Sequence, residues 1–266
     1  MSLLSLEISH RDGVATFMAI PLRVLVVGAG RGIGRSISIQ LMDLGHSLAL
    51  CSRTQADLEL LIDGRSNKTL IIPADVTLAN SAESVIEKVI SAWGGIDVLI
   101  LNAGDGVSAP LEKTTDEIWD RMLDLNLTAP FKFMRAVLPH MKLNKNGQII
   151  VIASKAGLVG EANVAAYTAA KHGVVGLVRA AASELYRYGI TVNAICPDFV
   201  DTPMTERTLQ AAAMRTGKNI KEVKMALESK LSGGRFLTAD EVAEAAISFI
   251  GDESKTGITQ LLEGGR

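Results

Sequence analysis

Two cysteines in 266 residues are too few for a disulfide framework. Cys51 and Cys196 each close an apolar, strand-like run and read as free buried thiols of a reducing compartment. No apolar run approaches the ~20 residues that a membrane-spanning helix needs. The first residues carry Glu7, Arg11 and Asp12, where a signal peptide would be uninterrupted and apolar. Neither sign of charge dominates, and a net charge of −2 lacks the basic excess of a nucleic-acid-binding domain. There is no internal repeat, low-complexity tract or linker. These absences exclude a membrane or nucleic-acid partner and imply a cytoplasmic location. The chain, 48% apolar, is long enough to bury roughly 70–75% of its unfolded surface.

The pattern along the chain predicts a doubly wound α/β fold. Near the N-terminus Leu4, Leu6 and Ile8 alternate with polar residues, an Asp12-Gly13 turn follows, and V-A-T-F-M-A-I comes after it. This predicts a β-hairpin extension over 1–21, appended to a single domain over 22–266. From Arg23 the run R-V-L-V-V reads as a parallel strand buried on both faces. It enters Gly28-Ala29-Gly30-Arg31-Gly32-Ile33-Gly34 and then a helix that stops at Gly45. Further strands are predicted at Ser47–Cys51, Leu70–Pro73, Ile96–Leu101, Ile149–Ala153, Ile190–Cys196 and Gly257–Leu262. Helices fall between them, including one over 79–93 and a long amphipathic one over 116–141 that contains Asn126. Thr54 with Asp57 reads as a capping box for the helix after the second strand. Residues 198–235 carry a helical pattern and no strand signal, as an insertion over an active site would. About seven strands alternating with helices imply a parallel sheet with helices on both faces, Rossmann-type in architecture.

Chemistry concentrates in two places. Strand, glycine-rich turn and helix N-terminus together make a pyrophosphate site, because glycines admit a close backbone and unpaired N–H groups attract the anion. The second is Ser154 to Lys171. Tyr167 and Lys171 are four apart in an Ala-rich helical run and share one face. A nearby ammonium favours a phenolate, which predicts a lowered Tyr167 pKa tuned for proton transfer. Ser154 ends a predicted strand, where open α/β sheets place ligands, and its hydroxyl is positioned for the substrate oxygen that Tyr167 protonates. At the end of the second strand, where an acidic side chain would accept the ribose hydroxyls of NAD, the sequence has Ser52 and Arg53 and no carboxylate. Arg53, Ser52 and the turn residue Arg31 predict recognition of a 2′-phosphate.

From about Arg23 to Gly265 the sequence resembles the short-chain dehydrogenase/reductases. Gly28, Gly32 and Gly34 match the glycine motif, Asn102-Ala103-Gly104 the N-A-G motif, Asn126 the helix asparagine, and Ser154, Tyr167 and Lys171 the catalytic set. The resemblance implies hydride transfer between a nicotinamide and a carbonyl or alcohol carbon, with no metal. It implies that Tyr167 is the general acid in reduction and that Ser154 bonds the carbonyl oxygen. Lys171 would hold the nicotinamide ribose, and Asn126 would anchor a proton-relay water. Asp75 and Val76 would contact adenine, while Asn102 and Gly104 would line the adenosine side. Pro197, Val200 and Thr202 would lie at the nicotinamide amide. Two departures stand out. Val27 replaces the usual Thr, so the turn is expected to be less braced. Asp198 replaces the Gly after Pro197, a turn expected to survive because Asp tolerates positive φ.

The function expected is an NADPH-dependent carbonyl reductase, its subclass resembling the β-ketoacyl-carrier-protein or β-ketoacyl-CoA reductases. A homotetramer is implied by the same resemblance. Lys142, Lys145 and Arg187 are candidates for a carrier-protein docking patch beside the active-site mouth. The alternatives are an NAD-dependent alcohol or sugar dehydrogenase and a non-catalytic nucleotide-sensing protein on the same fold.

Overall fold

The computed structural model describes residues 7–11, 14–18, 21–65 and 68–265. β1 (Glu7–Arg11) and β2 (Val14–Met18) pair antiparallel with Glu7 opposite Met18, forming a two-stranded sheet of their own. The Asp12-Gly13 turn between them lies outside the described residues.

The apolar run at Arg23 becomes β3 (Arg23–Val27), the third strand in from one edge of a seven-stranded sheet. In sequence follow α1 (Gly32–Asp43), β4 (Ser47–Ser52), α2 (Gln55–Ile62), β5 (Thr69–Pro73), α3 (Ser81–Trp93) and β6 (Val98–Leu101). Then come α4 (Asp116–Leu123), α5 (Ala129–Asn144), β7 (Gly147–Ile152), α6 (Ala165–Leu185) and β8 (Ile190–Pro197). The chain closes with α7 (Pro203–Thr216), α8 (Ile220–Glu228), α9 (Ala239–Ile247) and β9 (Thr259–Leu262). The order across the sheet is β5-β4-β3-β6-β7-β8-β9, and every pairing is parallel.

Strand side chains alternate faces, and here both faces are buried. Leu25 and Val27 join a core with α3, α5 and α6, where Phe133 is fully enclosed. Val24 and Val26 join the opposite core with α1, α2 and α9. The order reverses between β3 and β6, so the loops after these strands diverge and leave a crevice at the C-terminal edge.

The long helix expected over 116–141 is broken. Residues Asp124–Thr128 form a π turn between α4 and α5. Pro130 explains the register change, because it has no N–H for the carbonyl of Asn126 and its ring would crowd that carbonyl in an ideal helix. The Asn126 side chain instead caps the released turn, donating from Nδ2 to Met122 O at 3.0 Å. The helical reading of 198–235 is met by α7 and α8.

Candidate active site

A cavity of about 450 Å3 occupies the crevice. Gly28 enters it with φ +90°, and a Cβ there would stand 2.5 Å from the backbone nitrogen of Ala103. A Cβ on Gly34 would strike the Gly28 carbonyl oxygen and the Asn102 amide. Only glycine permits this closeness. Asn102 Nδ2 donates to Gly28 O at 2.8 Å, and the N–H groups of Asn102 and Ala103 both donate to Val27 O at 2.9 Å. The looser turn expected from Val27 is therefore not found, since backbone bonds and one amide supply the brace. Arg31, the N-cap of α1, makes no side-chain cap. Gly30, Gly32 and Ile33 line the cavity together with Ser52, Arg53, Asp75, Val76, Ala103, Gly104 and Thr202. A glycine cradle at a helix N-terminus fits a dinucleotide pyrophosphate.

The adenosine end differs from expectation. Arg31 does not stand free, because its guanidinium grips Asp57, Nε to Oδ2 at 2.8 Å and Nη2 to Oδ1 at 3.3 Å. The capping box expected of Thr54 with Asp57 does not form, and the Thr54 side chain caps nothing. A carboxylate thus does line this end, contributed by α2 rather than by β4. Asp75 accepts from the Thr77 hydroxyl at 2.7 Å and from its N–H at 3.0 Å, bonds that hold its carboxyl low, with Arg53 adding a smaller charge effect.

A smaller cavity of about 180 Å3 adjoins the first. It gathers Asn126, Ser154, Tyr167 and Lys171 from the π turn, the end of β7 and α6, and it is also lined by Pro197 and Val200. Ser154 is in extended backbone, and its Oγ accepts from Ala156 N at 3.1 Å, which fixes its hydroxyl at the strand end. Lys171 Nζ donates to Ile152 O at 3.1 Å and lies 5.6 Å from the Tyr167 ring centroid. Asn126 Nδ2 also donates to Asp105 O at 3.1 Å, while its Oδ1 is a buried acceptor without a partner among the described residues.

Electrostatics overturns one expectation. Tyr167 is pushed up to about 12, first by burial and then by the charges of Glu161 and Asp105, with a Ser154 hydrogen bond pulling the other way. Lys171 is lowered to about 8, also by burial. The expected depression of the phenol by its neighbouring ammonium is not found, because loss of water around both groups dominates and favours both neutral forms. Tyr167 therefore keeps its proton across the neutral range.

Asp198 is not among the residues with positive φ, so the expected left-handed turn does not form. Its carboxylate, 5% exposed, accepts from Phe199 N at 3.0 Å and from Lys155 Nζ at 2.7 Å. Lys155 directly follows Ser154 and also reaches Glu263 at 3.4 Å. The substituted aspartate thereby ties the Ser154 loop to β8 and to the C-terminal segment. Asp105 joins Arg121 of α4 at 2.8 Å to Arg207 of α7 at 2.9 Å, so the insertion is pinned beside the larger cavity. Long-range pairs of this kind leave no local spacing signal, and sequence reasoning missed Lys155, Asp105 and Arg207 and read Asp57 only as part of a helix cap. Lys142, Lys145 and Arg187 belong to the other edge. They precede β7 and β8, around Tyr188, at the N-terminal ends of the strands. They do not flank the active-site mouth, which corrects their reading as a docking patch there.

The profile of the short chain dehydrogenase family matches residues 23–213. This chain belongs to that family. It is 37% identical over 243 residues to the putative ketoacyl reductase of the monensin polyketide synthase of Streptomyces virginiae, covering 88% of this chain and 92% of that protein. To the D-beta-hydroxybutyrate dehydrogenase of Cupriavidus necator it is 36% identical over 234 residues, covering 86% and 90%. The structure of a tryptophan-substituted actinorhodin polyketide ketoreductase with NADPH superposes with a TM-score of 0.87 at 30% identity, covering 92% of this chain and 96% of that one. The chain is thus an oxidoreductase of ketoreductase type, and the short chain dehydrogenase fold accounts for its seven-stranded sheet. No helix of the described residues is long and apolar enough to cross a membrane.

The Lys171 shift has a sign that can be measured. Its ordinary value is 10.5 and its folded value about 8. Between these values the unfolded chain binds more protons than the folded one, so this group makes stability rise with pH. Cys51 and Tyr167, both raised to about 12, act in the opposite sense, lowering stability as pH rises above their ordinary values of 9.0 and 10.0. From pH 8 to 9 the urea midpoint should therefore rise in the parent relative to Lys171→Met, in which this contribution is absent. A difference between the two that stays flat over that interval would contradict the burial effect.

Proposed function

We propose that this short chain dehydrogenase reduces a ketone with NADPH, as a cytoplasmic homotetramer. The observation that carries the reading is a half-buried Tyr167 sharing one small cavity with Ser154 and Lys171, beside a glycine-cradled groove that has Arg53 and Ser52 at the end of β4. When bound, the reduced nicotinamide supplies a hydride to the carbonyl carbon. Ser154 and Tyr167 hold the carbonyl oxygen, and as charge grows on it the phenol gives up its proton, because an alkoxide is the stronger base. The Lys171 ammonium then steadies the phenolate and holds the ribose hydroxyls. The orphan Oδ1 of Asn126 is an acceptor for a water that returns the proton.

The raised Tyr167 pKa keeps the phenol in the protonated form that reduction consumes. Kinship with a ketoacyl reductase supports a β-ketoacyl thioester as substrate, carried on coenzyme A or an acyl carrier protein. The second reading is an NAD-dependent alcohol dehydrogenase. It draws on the Cupriavidus relative and on Asp57, which occupies Arg31. Assembly is supported by Trp119 and Phe131, exposed on α4 and α5, and by Leu261, exposed on the edge strand β9. Two buried free thiols agree with a reducing compartment.

Three measurements test this reading. Tyr167→Phe should lower kcat for acetoacetyl thioester reduction by about 10²–10⁴-fold while NADPH affinity holds, and near-normal turnover would reject the proton donor. Arg53→Ala should raise the KM for NADPH by about ten- to a hundredfold, the worth of one charge-assisted hydrogen bond, with NADH little changed. Comparable kcat/KM for both cofactors in the parent would promote the NAD reading. Light scattering at micromolar concentration should give four chain masses, and a monomer mass would exclude the assembly.

A further inference from the structure

We propose that Asp57 sets the selectivity of the adenosine end of the nucleotide cavity by competing with a 2′-phosphate for Arg31. The inference rests on reading that cavity as a nicotinamide-nucleotide site.

The geometry is local and specific. A Cβ built on Gly30 would lie 3.0 Å from Ser52 Oγ and 3.2 Å from Asp57 Cβ, so the turn, the end of β4 and the first turn of α2 meet at one point of the cavity wall. The Arg31 side chain is 64% exposed and Asp57 only 22%, so the carboxylate is the fixed partner and the guanidinium the movable one. Asp57 has no capping duty to compete with this pair, since Thr54 makes no side-chain cap bond. Asp75, the other carboxylate lining this end, is engaged by Thr77. Two arginines and two carboxylates therefore line a region that the two arginines alone would make strongly attractive to anions.

A phosphate monoester and a carboxylate offer a guanidinium fork the same two-oxygen geometry. An incoming 2′-phosphate can recruit Arg31 only by displacing Asp57, and it then faces an uncompensated carboxylate. A nucleotide with a free 2′-hydroxyl meets neither cost. Asp57 thus weakens binding of 2′-phosphorylated nucleotides and leaves the others alone, which narrows the gap between the two cofactors from the level that Arg31 and Arg53 would otherwise set.

The test is direct binding, free of turnover. The full-length parent, Asp57→Asn, Asp57→Ala, Arg31→Ala and the double variant Arg31→Ala with Asp57→Asn would be titrated calorimetrically with 2′,5′-ADP and with ADP, each protein first checked by its melting temperature. Either Asp57 variant should tighten 2′,5′-ADP by about two- to fivefold, the range of a partly exposed ion pair, and leave ADP nearly unchanged. In the Arg31→Ala background the gain should shrink, because no guanidinium is released and only the repulsion of the Asp57 carboxylate is relieved. Unchanged or weaker 2′,5′-ADP binding in folded Asp57 variants would overturn the proposal, as would a gain equally large without Arg31. A parent that binds NADH as tightly as NADPH would remove the NADPH reading while leaving this competition intact, so the two failures are separable.

Discussion

The Gly28 carbonyl accepts the Asn102 amide, while the backbone of Ala103 passes so near Gly28 that a methyl group there would collide with it. This contact between the turn after β3 and the end of β6 brings the nucleotide cradle against the strand that leads to Asp105. From Asp105 the backbone carbonyl reaches Asn126, and the carboxylate reaches Arg121 and Arg207. A residue larger than glycine at 28 would push the two loops apart and with them the floor of the larger cavity. The arrangement also explains why Val27 suffices where a hydroxyl might be expected. The bracing is done by backbone groups that every residue carries and by the one Asn102 amide.

The smaller cavity is governed by loss of water. Burying a phenol and an ammonium together raises one pKa and lowers the other, so the pair leans toward neutrality. Tyr167 is thereby held in its protonated form, and Lys171 is held near the pH at which its charge can be lost. The π turn at Asp124–Thr128 adds a buried amide whose oxygen is left over after the helix is satisfied. Such a leftover is costly in a core and makes sense beside reacting groups.

Charge pairs between distant segments finish the site. Lys155 with Asp198 and Glu263 gathers the Ser154 loop, β8 and the C-terminal segment, and Arg207 with Asp105 fastens α7. Glu161 faces the same small cavity, with burial and Asp198 pushing its carboxyl upward and Lys155 pulling it back.

Much of this was legible in the chain itself. The both-sides-buried strands, the glycine turn, and the spacing of Ser154, Tyr167 and Lys171 are local patterns, and local patterns follow from backbone geometry and side-chain periodicity. They suffice to determine a parallel sheet and a glycine-lined crevice, and to single out Ser154, Tyr167 and Lys171, which the structure brings into one cavity. What they cannot carry is the outcome of competition among groups far apart in sequence. Whether Arg31 stays free or meets Asp57, whether Asp198 turns or seizes Lys155, and whether attraction or dehydration wins at Tyr167 depend on which side chains the tertiary structure brings within a few ångströms. They also depend on how much water it leaves there, because electrostatic energies change steeply with both.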